Sequence, residues 1–413
     1  MVRPRWAGHP LSPSYARSVR YFPGVQALRR TVTALVFVGL ALPGPAQAAT
    51  PRWDHPGYDA EDSWFNPHEA ALTPATVGRL TRSWSVHLRH LDESCSGFSA
   101  PVLGAGRVFA TDRAGVSAYR PSSGALSWRF TWEHADDNST ARLAVAGDLL
   151  ILANGDCNSM SDPDGRLTAL DTATGRVRWR LEPDNPIDSV VVDKNVVLVS
   201  GTSPSDEDRV AAYRVRDGRL LWSRPRHASS GVSADGLVPL ATTDGSGVPT
   251  GTTVAVDIAT GAPRWSRRAT WQVQAASPAA DRFYVTDRSG VLLSVDARTG
   301  AVLLALPGRG TPLLATDGPR LYVADGVRLT ALAAGTGRAL WSYTFPGPIT
   351  QPVLAGGLVY TGSRVLNAST GAPAGPTVPG GVIVTGGRLY QVNGPRLTTY
   401  LPELRDRRSE LGV

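Results

Sequence analysis

The stretch Leu170-Asp171-Thr172-Ala173-Thr174-Gly175-Arg176-Val177-Arg178-Trp179 decides how this chain folds. Its form is an Asp, a Gly four residues on, and a Trp four residues after that. The same form returns at Val256-Asp257-Ile258-Ala259-Thr260-Gly261-Ala262-Pro263-Arg264-Trp265, and a worn copy runs from Val295 through Asp296, Thr299 and Gly300 to Leu304. Working outward, the slot glycines are Gly124, Gly175, Gly218, Gly261, Gly300, Gly337 and Gly371, at intervals of 51, 43, 43, 39, 37 and 34 residues. A near-regular period of this size marks a solenoid, a propeller or an array. Trp128, Trp179, Trp222, Trp265 and Trp341 occupy the Trp slot, and Leu304 and Gly375 fill the two that remain.

Within one unit the local signals are strands. Arg282-Phe283-Tyr284-Val285-Thr286 is short, aromatic and β-branched, Asp287 to Gly290 is a turn, and Val291 to Val295 is the next strand. The Asp-x-x-Thr-Gly hairpin then leads into Ala301 to Leu306. With the small, polar segment before each aromatic strand, a unit has four strands. No stretch beyond residue 48 carries a sustained 3.6-residue apolar period of helix length. The repeated phrase follows from this. Gly supplies positive φ in a tight hairpin, and Asp or Thr hydrogen-bonds the turn backbone. The Trp covers the gap to the next unit, removing about 150–250 Å² of ring from water. It reads as a packing device before it reads as a box for stacking a cofactor.

After Gly371 an eighth unit begins with Gly381 to Thr385, Arg388 to Val392 and Arg396 to Tyr400, and it lacks an outer strand. The missing strand stands at the other end of the chain, Leu80 to Val86, with Trp84 in the Trp slot. An N-terminal strand completing the last unit closes the ring and removes an exposed sheet edge. The expected fold is therefore all-β, an eight-bladed β-propeller of four-stranded antiparallel blades over residues 80–402, with seven blades as the alternative. Residues 49–79 are then an N-terminal extension and 403–413 a C-terminal tail.

The formal charge of +7 suggests a nucleic-acid partner until it is located. Arg3, Arg5, Arg17, Arg20, Arg29 and Arg30 precede residue 49 and no acid does, so the remainder holds 36 basic against 35 acidic residues. A chain without a basic block is poorly suited to phosphate backbones, and no nucleic-acid partner is expected. Arg29-Arg30, an apolar run from Val32 to Leu42, and a small-x-small sequence ending at Ala48 read as a signal peptide over residues 1–48. The run is shorter than the about 20 residues a bilayer span needs, so no membrane span is expected. The long basic lead before Val25 raises the expectation of a translation start near Val25. Cys95 and Cys157, an even pair in an exported chain, are expected to form a disulfide, with a chain-entropy ceiling of about 4 kcal/mol.

At these residues the chain resembles the quinoprotein-like β-propellers, whose repeat is Ala-x-Asp-x-x-Thr-Gly-x-x-x-Trp; Ala169, Asp171, Thr174, Gly175 and Trp179 match it fully. Asn66-Pro67-His68-Glu69-Ala70-Ala71-Leu72-Thr73-Pro74, followed by Leu80 and Trp84, is similar to the opening of that family. The resemblance implies one of two roles. One branch oxidises alcohols or sugars with pyrroloquinoline quinone (PQQ) and calcium, through a carboxylate base and a Glu/Asn/Asp calcium site. The other is non-catalytic and includes a lipoprotein that scaffolds outer-membrane barrel assembly. No Glu-Asn-Asp ligand series stands out, and Cys95 and Cys157 are far apart where many of the enzymes have adjacent cysteines. No catalytic, cofactor or metal residue is therefore carried over.

The falling intervals place extra length in the first half, and long loops are where binding resides. Insertions lie at Trp132 to Asn138, Asn154 to Gly165, Gly201 to Asp208 and Thr242 to Gly251. In an up-and-down blade, the second-to-third-strand loops and the blade-to-blade loops emerge on one face. The insertions should share a rim, with Cys95 beside them. That rim is acidic: Glu133, Asp136, Asp137, Asp156, Asp162, Asp164, Asp206, Glu207 and Asp208. Asp162-Pro163-Asp164-Gly165 has part of a calcium-loop pattern without its full spacing or terminal Glu. His134 lies near Asp136 with no hydrolase-type Ser or Cys motif beside it. The expected function is an exported, monomeric, non-catalytic binding or scaffold protein, secreted or held at the cell surface, taking a protein, peptide or glycan partner on this rim. A PQQ- and calcium-dependent dehydrogenase is the alternative.

Overall fold

Eight four-stranded antiparallel blades follow one another along the chain, as the repeat requires. The computed structural model describes residues 50–159, 161–203, 205–362 and 364–403. Residues 1–49, which include the segment expected to be a signal peptide, and residues 404–413 lie outside the described residues. Blade 5 shows the pattern: Trp271–Ala276, Arg282–Asp287, Val291–Asp296 and Val302–Arg309, ordered from the central channel outward. Blade 8 consists of Gly381–Thr385, Arg388–Asn393 and Arg396–Pro402, and its outer strand is Leu80–His87, paired antiparallel so that Trp84 faces Thr399. Eight blades are present and the ring is closed by the N-terminal strand, so the seven-blade alternative falls.

The outer Trp residues join each blade to the next. The indole nitrogen of Trp128 donates to Thr172 O at 2.9 Å, that of Trp179 to Val215 O at 2.8 Å, and that of Trp222 to Ile258 O at 2.9 Å. Trp265 reaches Ala297 O at 2.8 Å, Trp341 reaches Ala368 O at 3.1 Å, and Trp84 reaches Pro121 O at 2.9 Å, across the closure. Each ring lies on the turn glycine of the following blade. A Cβ on Gly175, where φ is 72°, would sit 2.5 Å from the Trp128 ring. The glycine thus meets two demands, a positive φ and a flat surface for an indole. Asp171 completes the turn, its Oδ1 accepting from the backbone nitrogens of Ala173 and Thr174 and from Thr174 Oγ1. The slot in blade 7 holds Gly375 for a related reason. Blade 8 takes its outer strand from the N-terminus, so it has no third-to-fourth-strand hairpin for a Trp to cover.

Residues 53–69 do what their description as an extension did not foresee: they visit all eight blades in order. The innermost strand of every blade has one edge facing the channel, with main-chain groups that need partners. Trp53 exchanges two main-chain hydrogen bonds with Leu103 of blade 1, at 2.7 and 2.9 Å. Asp54 O then accepts from Val145 N of blade 2, and His55 Nε2 bonds Val192 O of blade 3, each at 2.8 Å. Ala60 O, Glu61 O, Ser63 O and Trp64 O accept from Ser233, Ala276, Thr316 and Leu354 of blades 4 to 7, at 2.7–2.9 Å. Phe65–Asn66 pairs parallel with the inner strand of blade 7, and Asn66 Nδ2 donates to Val384 O of blade 8 at 2.8 Å. These contacts fall at or just beyond the end of each inner strand that leads into the first hairpin, on the face opposite the long insertions. The segment is a strap across that mouth of the channel, anchored at its start by the fully buried Trp53 and followed, past its end, by the fully buried Leu72.

Candidate functional site

Two regions carry chemistry: the insertion rim and the strap. On the rim, the insertions leave between strands two and three of blades 2, 3 and 4, and between blades 1 and 2, so topology places them on one face. They also bind one another. Ser205 Oγ donates to Asp162 Oδ1 at 2.6 Å, Gly247 N donates to Asp208 Oδ2, and Arg226 pairs with Glu207 at 2.6 Å. Cys95 and Cys157 are joined by a disulfide with Cα atoms 6.4 Å apart, tying the segment before blade 1 to the blade 2 insertion. The bridge joins two loops and no blade strand. Its reduction is therefore expected to cost well under the chain-entropy ceiling and to expose residues 156–164 to limited proteolysis while the blades stay protected. Cleavage inside the blades at the same rate would show that the bridge supports the whole ring.

The nine acidic rim residues do not form one surface. Asp208 is fully buried and bonded to the Gly247 backbone, so its assignment to the exposed rim is corrected: it holds the blade 3 and blade 4 loops together. Asp137 turns inward to Arg166 at 2.6 Å. Burial pushes the Asp137 carboxyl up, but the Arg166 contact and backbone donors outweigh it and leave the group below its ordinary value. Glu207 is neutralised by Arg226, while Glu133 and Asp136 are exposed on the connection between blades 1 and 2. Asp156, Asp162, Asp164 and Asp206 do come together. The Asp164 carboxyl is raised, by burial first and then by repulsion from Asp156, Asp162, Asp184 and Asp206. Asp184 belongs to this field and went unnoticed in the sequence, because the blade 2 to blade 3 connection has no extra length. Among the described residues, no group of three His, Cys, Asp or Glu side chains is disposed to hold a metal. His90 lies 3.2 Å from Asp92 and His87 accepts from Arg396, both as surface pairs.

The strap carries a second set of ionisable groups. Burial pushes Asp54 up to about 6, with Arg52 partly offsetting it. Asp59, Glu61 and Asp62 are each pushed up to about 7, mainly by burial. Hydrogen bonds from Ser63 oppose the shift at Asp59, the Asp59 charge adds to it at Glu61, and Arg142 opposes it at Asp62. Each of these residues is half-buried. Burial lowers His55 to about 4. The carboxyls bind protons more tightly folded than unfolded, so stability falls as pH rises from about 4 through about 7. His55 works the other way, costing stability as pH drops below about 6.5. Between pH 8 and 6.5 the three carboxyls raised to about 7 outweigh the opposing contribution of His55. The melting temperature is expected to rise as the pH is lowered across that interval, and Asp59→Asn with Asp62→Asn should flatten the slope. A wild-type profile that falls between pH 8 and 6.5 would contradict this account.

Among the described residues, no helix is long and apolar enough to cross a membrane. Comparison with known proteins adds the following. A family model described as outer membrane protein assembly factor BamB matches residues 112–270 and 304–373, more than half of the chain. The outer membrane protein assembly factor BamB of Bordetella pertussis is 28% identical over 218 residues, 50% of each chain. That of Burkholderia pseudomallei is 27% identical over 179 residues, 41% of this chain and 44% of the relative. The chain thus spans about half the length of the curated relatives it matches. Among solved structures, quinohemoprotein alcohol dehydrogenase from Comamonas testosteroni superposes with a TM-score of 0.62 at 15% identity, covering 87% of this chain and 83% of that one. BamB from Moraxella catarrhalis superposes with a TM-score of 0.57 at 20% identity, covering 79% of this chain and 98% of that one. At such identities both likenesses speak to the fold alone, and they agree on the propeller. The match to the family model over more than half its length places this chain in the family of outer membrane protein assembly factor BamB, built on PQQ-like repeats.

Proposed function

We propose that this chain is a non-catalytic scaffold of the cell envelope that holds a protein partner on its insertion rim. The observation that carries the reading is the asymmetry of the two faces. One is closed by the strap, whose main-chain groups are spent on the inner strands. The other displays loops cross-braced by a disulfide and by Asp162–Ser205, with an un-neutralised acidic field around Asp164. Braced loops lose little entropy on binding, and an acidic field favours a partner surface rich in Lys and Arg. Membership of a family named for outer membrane assembly supports an envelope location held by association, in preference to free secretion. Export through residues 1–48 belongs to the same proposal.

A photo-crosslinking residue placed at Asp164 should capture a partner in intact cells, while one at Arg338, in a hairpin on the opposite face, should not. Asp156→Asn, Asp162→Asn, Asp164→Asn and Asp184→Asn together should reduce capture at least tenfold and leave the melting temperature within about 2 °C, as surface changes do. Equal capture from both faces, or capture unaffected by the four substitutions, would remove the rim from the proposal.

A further inference from the structure

The gap between blades 7 and 8 differs from the other interblade gaps. Blade 7 is short beyond its inner strand: Leu358–Tyr360, Val365–Asn367 and Pro373–Gly375 are three residues each. Blade 8 presents Arg388–Asn393, Arg396–Pro402 and Leu80–His87, of six to eight residues. Among the described residues no Trp fills the space, and Val77 lies against Gly375. What remains is a cleft of about 450 Å³ on the face of blade 8. Its wall is the linker Pro376-Thr377-Val378-Pro379 and its floor includes Leu80, Gln391, Asn393, Arg396 and Tyr400.

Three features of the cleft point to one kind of occupant. Gln391 and Tyr400 are fixed, since Gln391 Nε2 donates to Pro379 O at 2.6 Å and Tyr400 Oη donates to Gln391 Oε1 at 3.1 Å. The floor is therefore preformed. Thr377 and Val378 belong to no strand, and among the described residues their main-chain groups make no backbone hydrogen bond. They can serve an incoming extended strand, which is how sheet edges recruit peptides. Arg396 donates to the imidazole of His87 at 2.9 Å and faces no carboxylate among the described residues, leaving a guanidinium with unused donors at the cleft's upper end. Tyr400 stands towards the other end, four residues along the same strand, and so does Leu80, whose antiparallel strand pairs Leu80 with Pro402 and His87 with Arg396.

We infer that this cleft binds an extended peptide segment that sets a carboxylate against Arg396 and an apolar side chain between Leu80, Val378 and Tyr400. The site is separate from the insertion rim and stands whether or not the rim proposal does. The probe is a fluorescein-labelled six-residue peptide of alternating valine and glutamate, titrated against the full chain by fluorescence anisotropy. Saturable binding is expected. Arg396→Glu should weaken it about tenfold or more, the scale of a charge-assisted hydrogen bond lost and a repulsion gained. Asn393→Asp, at the same end, should weaken it in the same direction. N-methylation of alternate peptide nitrogens should also cost about tenfold if the linker backbone pairs with the peptide. No saturable binding, unchanged affinity in Arg396→Glu, or equal competition by free hexanoate would each overturn the inference, the last by showing a site for small acids.

Discussion

Replacing Trp53 by alanine is expected to destabilise the propeller by about 3–5 kcal/mol, the range for losing a large buried aromatic. Trp53 is fully buried, its ring packs edge-on against Tyr58 with centroids 5.1 Å apart, and its indole nitrogen donates to Pro56 O at 3.1 Å. Its backbone fixes the start of the strap on blade 1, so the loss should spread to the contacts that follow around the ring. Trp179 retains partial exposure and seals one interblade gap. Trp179→Ala should therefore cost less than Trp53→Ala. Denaturant unfolding of both variants checks the order. A Trp53→Ala protein as stable as wild type would reduce the strap to a passenger.

The second large effect concerns the turn that repeats. Gly175→Ala forces a side chain into a φ of 72°, costing roughly 1–2 kcal/mol, and puts its Cβ 2.5 Å from the Trp128 ring. Displacing that ring adds about 1–3 kcal/mol of overpacking and stretches the Trp128 bond to Thr172 O. Gly147→Ala is the control: φ is 64° there, but nothing lies within 4 Å of the new methyl. The two variants share the backbone penalty, so the difference in their unfolding free energies isolates the indole contact. Equal costs would show that the glycine is kept for φ alone.

The rim shows how far loop reading reaches. Insertion lengths located the four segments and topology put them on one face, because strand direction alternates within every blade. Which acids face outward was not legible. Asp208 and Asp137 sit among other acids in the sequence, yet they turn to Gly247 N and Arg166. Asp184 sits in an unremarkable connector and joins the field around Asp164. Side-chain direction in a loop depends on partners from other blades, and no local pattern encodes them.

The amino-acid sequence by itself determined the four-stranded unit and the hairpin chemistry of Asp171 and Gly175, and it favoured eight blades closed through Trp84 over seven. Those features rest on interactions within about a dozen residues, or on a repeat that copies them. Only the tertiary structure decided the course of residues 53–69. That segment has no period, and its partners, from Leu103 to Val384, are up to 318 residues away. They exist as a set only once eight inner edges face one channel. The strap's structure is dictated by the ring it closes, so it becomes visible only after the ring has formed.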